Sequence, residues 1–333
     1  MRVLLVGGTG LISTAITREL VAADHDVVCF TRGESDARVP DSVEFVHGDR
    51  NDVERLRELR ALEIDCVIDM VCFTPERAEE AVSAFGNAIE QYVFCSTVDV
   101  YHRPPERNPV TESAAREPAV SEYGARKAAA EDVLLDAHGE AFATTVIRPW
   151  STYGEGGPVL HTLGTGTYYV DRIRKGKPIV VHGDGTSLWG PCHREDVARA
   201  FVNAVGNRTA YGEAYHVTSE EVITWNQYHR RVASALGAPE PDLVHVPTEL
   251  LVAAVPDRTG MLEDHFRYST VFDNAKARRD LDFEYTIPFE EGVRRTVECL
   301  DAEDAIEPWD DENDDDLIAA WRDSTAEFRA RLE

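Results

Sequence analysis

Lysine is close to absent from this chain, with 4 lysines against 30 arginines in 333 residues. Cations as a whole are scarce: 34 basic residues face 61 acidic ones, a net charge of -27. Such a surface repels phosphate backbones and anionic lipid, which argues against nucleic acid or a membrane as partner. The acid excess runs through the whole chain, and its self-repulsion is screened in molar salt, where the Debye length is about 3 Å. A halophilic source is therefore expected. No stretch approaches the roughly 18 apolar residues of a membrane-crossing helix. Met1 leads into RVLLV without an apolar leader or a small-residue cleavage site, so the cytoplasm is the expected location. Six cysteines are present but no Cys-x-x-Cys, and Cys192-His193 has no companions at zinc-ligand spacing. Neither a metal nor a disulfide framework is expected. Cys29, Cys66, Cys72 and Cys95 sit in or beside apolar runs, as small core hydrophobes do.

What the chain does have is alternation. RVLLV (2–6), DVVCF (26–30), VEFV (43–46), DCVIDMV (65–71), YVFCS (92–96) and ATTVIRP (143–149) are short apolar runs. Helical segments such as TAITRELVAA (14–23), DVERLRELRAL (52–62), ERAEEAVSAFGNAI (76–89) and the one containing SEYGARKAAAEDVLL (121–135) lie between them. Strands flanked by helices predict an α/β fold, a doubly wound parallel sheet of the Rossmann type with a smaller C-terminal layer. Residues 1–160 form the expected dinucleotide-binding domain, with 195–219 (helix EDVARAFVNAV, strand AYHVTS) returning to it. Residues 161–194 and 220–300, rich in turns such as HGDG, form the expected substrate-binding region, with TWNQYHRRVASALG (224–237) as a helix. An acidic linker and a helix at 316–332 follow in the tail at 301–333. That helix has apolar positions for the body or for a second copy, so a homodimer is an open expectation.

The turn VLLVGGTGLIS follows the first strand and opens the first helix, the context in which a glycine turn cradles a pyrophosphate. Gly7, Thr9, Gly10, Leu11 and Ile12 are the expected phosphate ligands, and Ser13 stands where a third glycine is usual. About 20 residues on, an acid would select NAD. Thr31 and Arg32 are there instead, and a guanidinium fork suits a 2'-phosphate, so NAD(P) is expected with a lean to NADP. Asp49 and Arg50, after the third strand, fall at the adenine end.

Tyr123 and Lys127 lie four apart on one helix face. They open the helix between the fifth and sixth strands, and Thr97 ends the fifth strand. Taken together, GGTGLIS, STVDVY, YGARK, VIRPWSTYG and HGDG…HREDVARA resemble the extended short-chain dehydrogenase/reductases, the NAD(P)-dependent epimerase/dehydratase branch, over residues 1 to about 300. The resemblance implies Tyr123 as acid/base, Lys127 as its charge partner and ribose ligand, Thr97 as holder of the substrate hydroxyl, and a nicotinamide beside Pro149. Free tyrosine ionises near pH 10, and shifting it to neutrality takes about 4 kcal/mol. A cation about 4 Å away in an effective dielectric of 20 supplies a comparable amount.

The resemblance also implies a small carbohydrate substrate. Nucleotide-sugar enzymes of the family place an asparagine where Ser151 stands and an arginine where Trp189 stands, both on the diphosphate. Ser151, Trp189 and His193, with Cys72 at the end of its strand, are the candidate substrate contacts. Three readings follow: a sugar epimerase or dehydratase, an NADP-dependent sugar dehydrogenase or reductase, and a non-catalytic relative binding nucleic acid or protein. The complete Thr97, Tyr123, Lys127 set and the negative charge both weigh against the third.

Overall fold

The computed structural model describes residues 1–34, 38–309 and 314–333. The apolar runs become strands β1 (Arg2–Val6), β2 (Asp26–Thr31), β3 (Glu44–His47), β4 (Cys66–Asp69), β5 (Gln91–Cys95), β6 (Ala143–Pro149) and β7 (Glu213–Val217). They form one parallel sheet in the order β7-β6-β5-β4-β1-β2-β3. The order reverses between β1 and β4, a switch point of the kind where open α/β sheets bind ligands.

Helices α1 (Leu11–Ala22), α2 (Val53–Glu58), α3 (Pro75–Phe85), α4 (Glu122–Asp136), α5 (Arg194–Ala204) and α6 (Ala275–Leu281) complete this unit. Strand residues alternate between faces. Val3, Leu5, Cys29 and Ile68 pack with Ile16 and Leu20 of α1 and with Val197 and Phe201 of α5. Leu4, Val6, Val28 and Phe94 pack on the other face with Leu56, Ala81, Phe85 and Leu134 of α2, α3 and α4. Each of the larger ones (Val, Leu, Ile, Phe) contributes about 1.5–3 kcal/mol by burial. Helix starts are set by side-chain caps: Asp52 accepts from the Arg55 N–H, Thr74 from that of Arg77, and Ser121 from that of Gly124. All six cysteines are free thiols.

The chain divides into two compact units. The first is 1–152, 190–220 and 271–287. Residues 271–287, expected in the substrate-binding region, therefore return to the sheet unit, where α6 packs on β7. The second unit is 153–189, 221–270 and 288–333. Its core is aromatic: Trp225 lies 4.5 Å from Phe266 and 5.6 Å from Trp189 between ring centroids. A helix at Phe289–Ala302 packs on the one at Trp225–Ala235. The former is unmarked by any expectation above, although its buried Phe289, Val293, Thr296, Val297 and Leu300 follow helical spacing.

The tail packs on its own unit. Its helix, Asp314–Ala330, buries Ile318. Arg258 donates to Asp314 at 2.6 Å and Arg172 to Asp315 at 2.5 Å. Just before the tail helix, Lys177 Nζ stands 3.9 Å from the Trp309 ring centroid. Among the described residues no helix is long and apolar enough to cross a membrane.

Candidate active site

The glycine turn is shaped by close packing. Gly7 has φ +88°, and a Cβ there would come 2.8 Å from Val71 Cγ1. A Cβ at Gly8 would lie 2.5 Å from Cys29 Sγ. Ser13, in place of a third glycine, turns back on the helix start: Gly10 N–H donates to its Oγ at 2.7 Å. The N–H groups of Leu11 and Ile12, at the first turn of α1, remain as the helix's anion-facing end.

At the switch point lies a cavity of about 510 Å³ lined by Gly7, Thr9, Gly10, Thr31, Arg32, Asp49 and Arg50, all expected from the sequence. Phe30, Gly48, Asn51, Val71 and Phe73 line it as well. Gly48 and Asn51 flank the expected Asp49 and Arg50. Val71 and Phe73 follow a strand in a stretch with no glycine or charge to mark it. Pro149, Leu11 and Ile12 are not among the lining residues. The volume and the cradle of small residues fit a dinucleotide.

Thr31 and Arg32 hold the second-strand end, with Arg32 exposed and paired to Glu34 at 3.0 Å. Arg50 lines this cavity and is itself buried: its Nη2 donates to Asp69 at 3.0 Å and to the Arg77 carbonyl at 2.8 Å, while among the described residues its Nε and Nη1 have no hydrogen-bond partner. Asp69 accepts further from the Tyr92 hydroxyl at 2.7 Å and the Val71 N–H at 2.9 Å, which shapes the turn after β4.

Helix α4 presents Tyr123 half-exposed and Lys127 fully buried. Lys127 Nζ donates to the carbonyls of Cys72 at 2.8 Å and Cys95 at 2.5 Å. The Phe94 and Phe73 rings stand 4.2 and 5.3 Å from it. One N–H of the ammonium is left for a further acceptor. Burial pushes its pKa down, opposed by the thiols of Cys95 and Cys72 and the carboxylates of Asp69 and Glu131.

Tyr123 meets Phe73 at 6.5 Å between ring centroids. Burial raises its phenol pKa, reinforced by Cys95 and Asp99. Burial thus opposes the lowering expected from Lys127 and favours the protonated phenol. Thr97, buried at the end of β5, accepts the Asp99 N–H at 3.1 Å and keeps its own proton to donate.

Gly124 sets the approach of these elements, because a Cβ there would run into the Asp99 carbonyl. Gly124→Ala is expected to cost about 1–3 kcal/mol and to lower turnover by shifting Tyr123. Thermal unfolding and kinetics on the same variant check both effects.

The four substrate candidates part company. Cys72 is fully buried with its thiol raised to about 12, mainly by burial; it offers its carbonyl to Lys127, and not its sulfur to a ligand. Trp189 is enclosed by Trp225 and Phe266, so it is a core residue and no sugar platform. His193 is fully buried and caps α5, accepting the Glu195 N–H at 3.3 Å. Ser151 alone keeps the character of a ligand contact: φ is +45°, and its buried Oγ has no hydrogen-bond partner. Strain and an unpartnered hydroxyl are costs that functional positions carry.

A switch-point cavity beside a glycine turn defines a dinucleotide-binding protein of the Rossmann class. A model of the NAD dependent epimerase/dehydratase family matches residues 3–218. A 2'-dehydrokanamycin reductase of Streptomyces kanamyceticus is 31% identical over 276 residues, 82% of this chain and 77% of its own. A chloroplast stem-loop binding protein of 41 kDa (form b) of Arabidopsis thaliana is 31% identical over 258 residues, 73% of this chain and 65% of its own. An epimerase structure from Methanothermobacter thermautotrophicus superposes with TM-score 0.74 at 20% identity, covering 90% of this chain and 92% of its own. The chain belongs to the NAD-dependent epimerase/dehydratase family, and it is an enzyme of the extended short-chain dehydrogenase/reductase type.

Proposed function

We propose that the protein moves a hydride and a proton at a hydroxyl- or carbonyl-bearing carbon of a sugar-like substrate, with Thr97, Tyr123 and Lys127 as the reaction centre. The observation that carries this is Tyr123 and Lys127 on one face of α4, with the Lys127 ammonium fixed by the carbonyls of Cys72 and Cys95. A nicotinamide, when bound, donates or accepts the hydride. Tyr123 donates its proton to the substrate oxygen or takes it back. Thr97 holds the same oxygen through its hydroxyl. Lys127 brings a fixed positive charge and uses its remaining N–H on a ribose hydroxyl. Ser151 offers its unpartnered Oγ to a further hydroxyl of the substrate.

Net carbonyl reduction is favoured within this reading by two observations. The neutral Tyr123 phenol is the form that protonates a carbonyl, and a relative covering most of the chain is a reductase of 2'-dehydrokanamycin. Epimerisation and dehydration use the same groups. Stem-loop binding is not carried over from the chloroplast relative, because a net charge of -27 opposes it.

NADP is the proposed cofactor, on Thr31 and Arg32. Arg32→Ala is expected to weaken NADP binding about tenfold or more, the value of a charge-assisted bond to phosphate, and to leave NAD binding nearly unchanged. Equilibrium titration with both cofactors checks it. The function itself is tested by offering sugars, keto-sugars and sugar nucleotides in molar salt with both cofactors, following nicotinamide absorbance and product identity. Net oxidation of reduced cofactor supports a reductase. Product with no net absorbance change supports an epimerase or dehydratase. No conversion of any member, with cofactor bound, would remove the sugar reading.

A further inference from the structure

Thr97 sits on a turn, residues 96–101, that follows β5 and includes the short helical turn Val98–Val100. Successive turns of α4 hold the start of this segment. Lys127 Nζ takes the Cys95 carbonyl, and Ser96 Oγ donates to Glu131 Oε1 at 2.5 Å. Tyr123, Lys127 and Glu131 recur every four residues and so share one helix face.

Glu131 is fully buried. A buried carboxylate is tolerated only when paired and fully hydrogen-bonded. Here Arg148 grips it twice, Nε to Oε1 at 2.8 Å and Nη2 to Oε2 at 2.5 Å, and Arg116 adds a third bond at 3.0 Å. The remaining Arg148 nitrogen, Nη1, donates to the Tyr101 hydroxyl at 2.5 Å, and that oxygen also meets His216 Nε2 at 2.6 Å. One carboxylate–guanidinium pair thereby holds both ends of the turn, Ser96 and Tyr101, with Thr97 between them.

We propose that Glu131, locked to Arg148, is a positioning residue of the reaction centre: it fixes the turn that carries Thr97 and sets its carboxylate one helical turn from Lys127. The proposal rests on the Tyr123–Lys127 reading above. Burial lowers the Lys127 pKa, and Glu131 is among the groups that oppose the shift. Removing the charge of Glu131 alone leaves the Arg148 guanidinium buried without its counter-charge and destabilises the fold, so the role is read from the Lys127 titration and from turnover, and not from stability.

The chain's 4 lysines make that titration readable. With lysine labelled by carbon-13 at Cε, at most four signals appear, and Lys127→Arg assigns the one wanted. In Glu131→Gln the Lys127 midpoint should move to lower pH, and Glu131→Asp should bring it back toward wild type. An unmoved midpoint in folded Glu131→Gln overturns the electrostatic role. Ser96→Ala tests the positioning role separately, and it alone decides if Glu131→Gln fails to fold. It should lower turnover about tenfold, as small misplacements of reacting groups do, with KM and cofactor affinity unchanged. Wild-type turnover in Ser96→Ala overturns the positioning role. Should Tyr123→Phe prove fully active, the reaction-centre reading fails, while the Lys127 titration still reports on Glu131 by itself.

Discussion

Tyr123→Phe is expected to keep its fold and its cofactor affinity and to lose at least about a hundredfold in turnover, the low end for a positioned acid/base. The fold should be indifferent because, among the described residues, none hydrogen-bonds the Tyr123 hydroxyl, and its ring contact with Phe73 survives in phenylalanine. The chemistry should not be indifferent. Its half-exposed phenol is open to a substrate oxygen, whereas the buried Lys127 ammonium is held in place by two carbonyls. The raised phenol pKa adds a sign that can be checked. An acid that must be protonated loses activity as pH rises through its pKa, so reductive turnover should persist through neutral pH and fall on the alkaline side. Steady-state kinetics across pH, on both proteins in molar salt, checks the two statements together.

The second large effect is acid unfolding set by buried histidines. Burial lowers His161 to about 3, helped by Arg258 and Arg172, and lowers His182 to about 4. Burial likewise lowers His216 to about 3, helped by Arg148, and holds His229 well below its ordinary value. A histidine whose folded pKa lies below the unfolded value of 6.5 favours the folded state fully only above pH 6.5. Its contribution is lost as pH falls from 6.5 toward 3–4, at about 1.4 kcal/mol per pH unit. His161, His182 and His216 over two pH units amount to roughly 8 kcal/mol, comparable with the whole stability of a typical domain, and His229 acts in the same direction. Unfolding by about pH 4.5 is therefore expected, well before carboxylate titration alone would account for it. His161→Phe keeps the stacking on Tyr169, now 5.1 Å between centroids, and should move the acid midpoint lower. Circular dichroism against pH reads this directly, and an unchanged midpoint would rule out His161 as a contributor.

Much of this molecule can be read from sequence because its signals are local. The glycine turn, the strand runs and the Tyr123–Lys127 spacing each sit within a few residues, and the fold gathers the strand runs into one sheet with a cavity at its switch point. What escaped depends on distant partners. Trp189 and His193 lie in a loop-like stretch, GDGTSLWGPCH, whose appearance suggests exposure. Trp225 and Phe266, far along the chain, enclose the first, and the second is turned inward to cap α5. Arg50 falls at the adenine end by its place after β3, but its bond to Asp69 of β4, 19 residues on, is invisible in the sequence. Phe73 carries no mark in the sequence, yet it lies against both Tyr123 and Lys127. Glu131 looks like one more helix acid until Arg148 comes from β6 to meet it.

The central claim is that Tyr123 works with a nicotinamide bound at the glycine turn. Rapid mixing of the cofactor-loaded enzyme with convertible substrate, followed by nicotinamide absorbance, tests it most directly. The wild-type protein should show a change in the reduced-nicotinamide signal, transient if the cofactor is regenerated within the turnover and lasting if it is exchanged, and Tyr123→Phe should show it at least about a hundredfold more slowly. Product formed at the wild-type rate by Tyr123→Phe, or formed by either protein with no nicotinamide signal at any time, would contradict it.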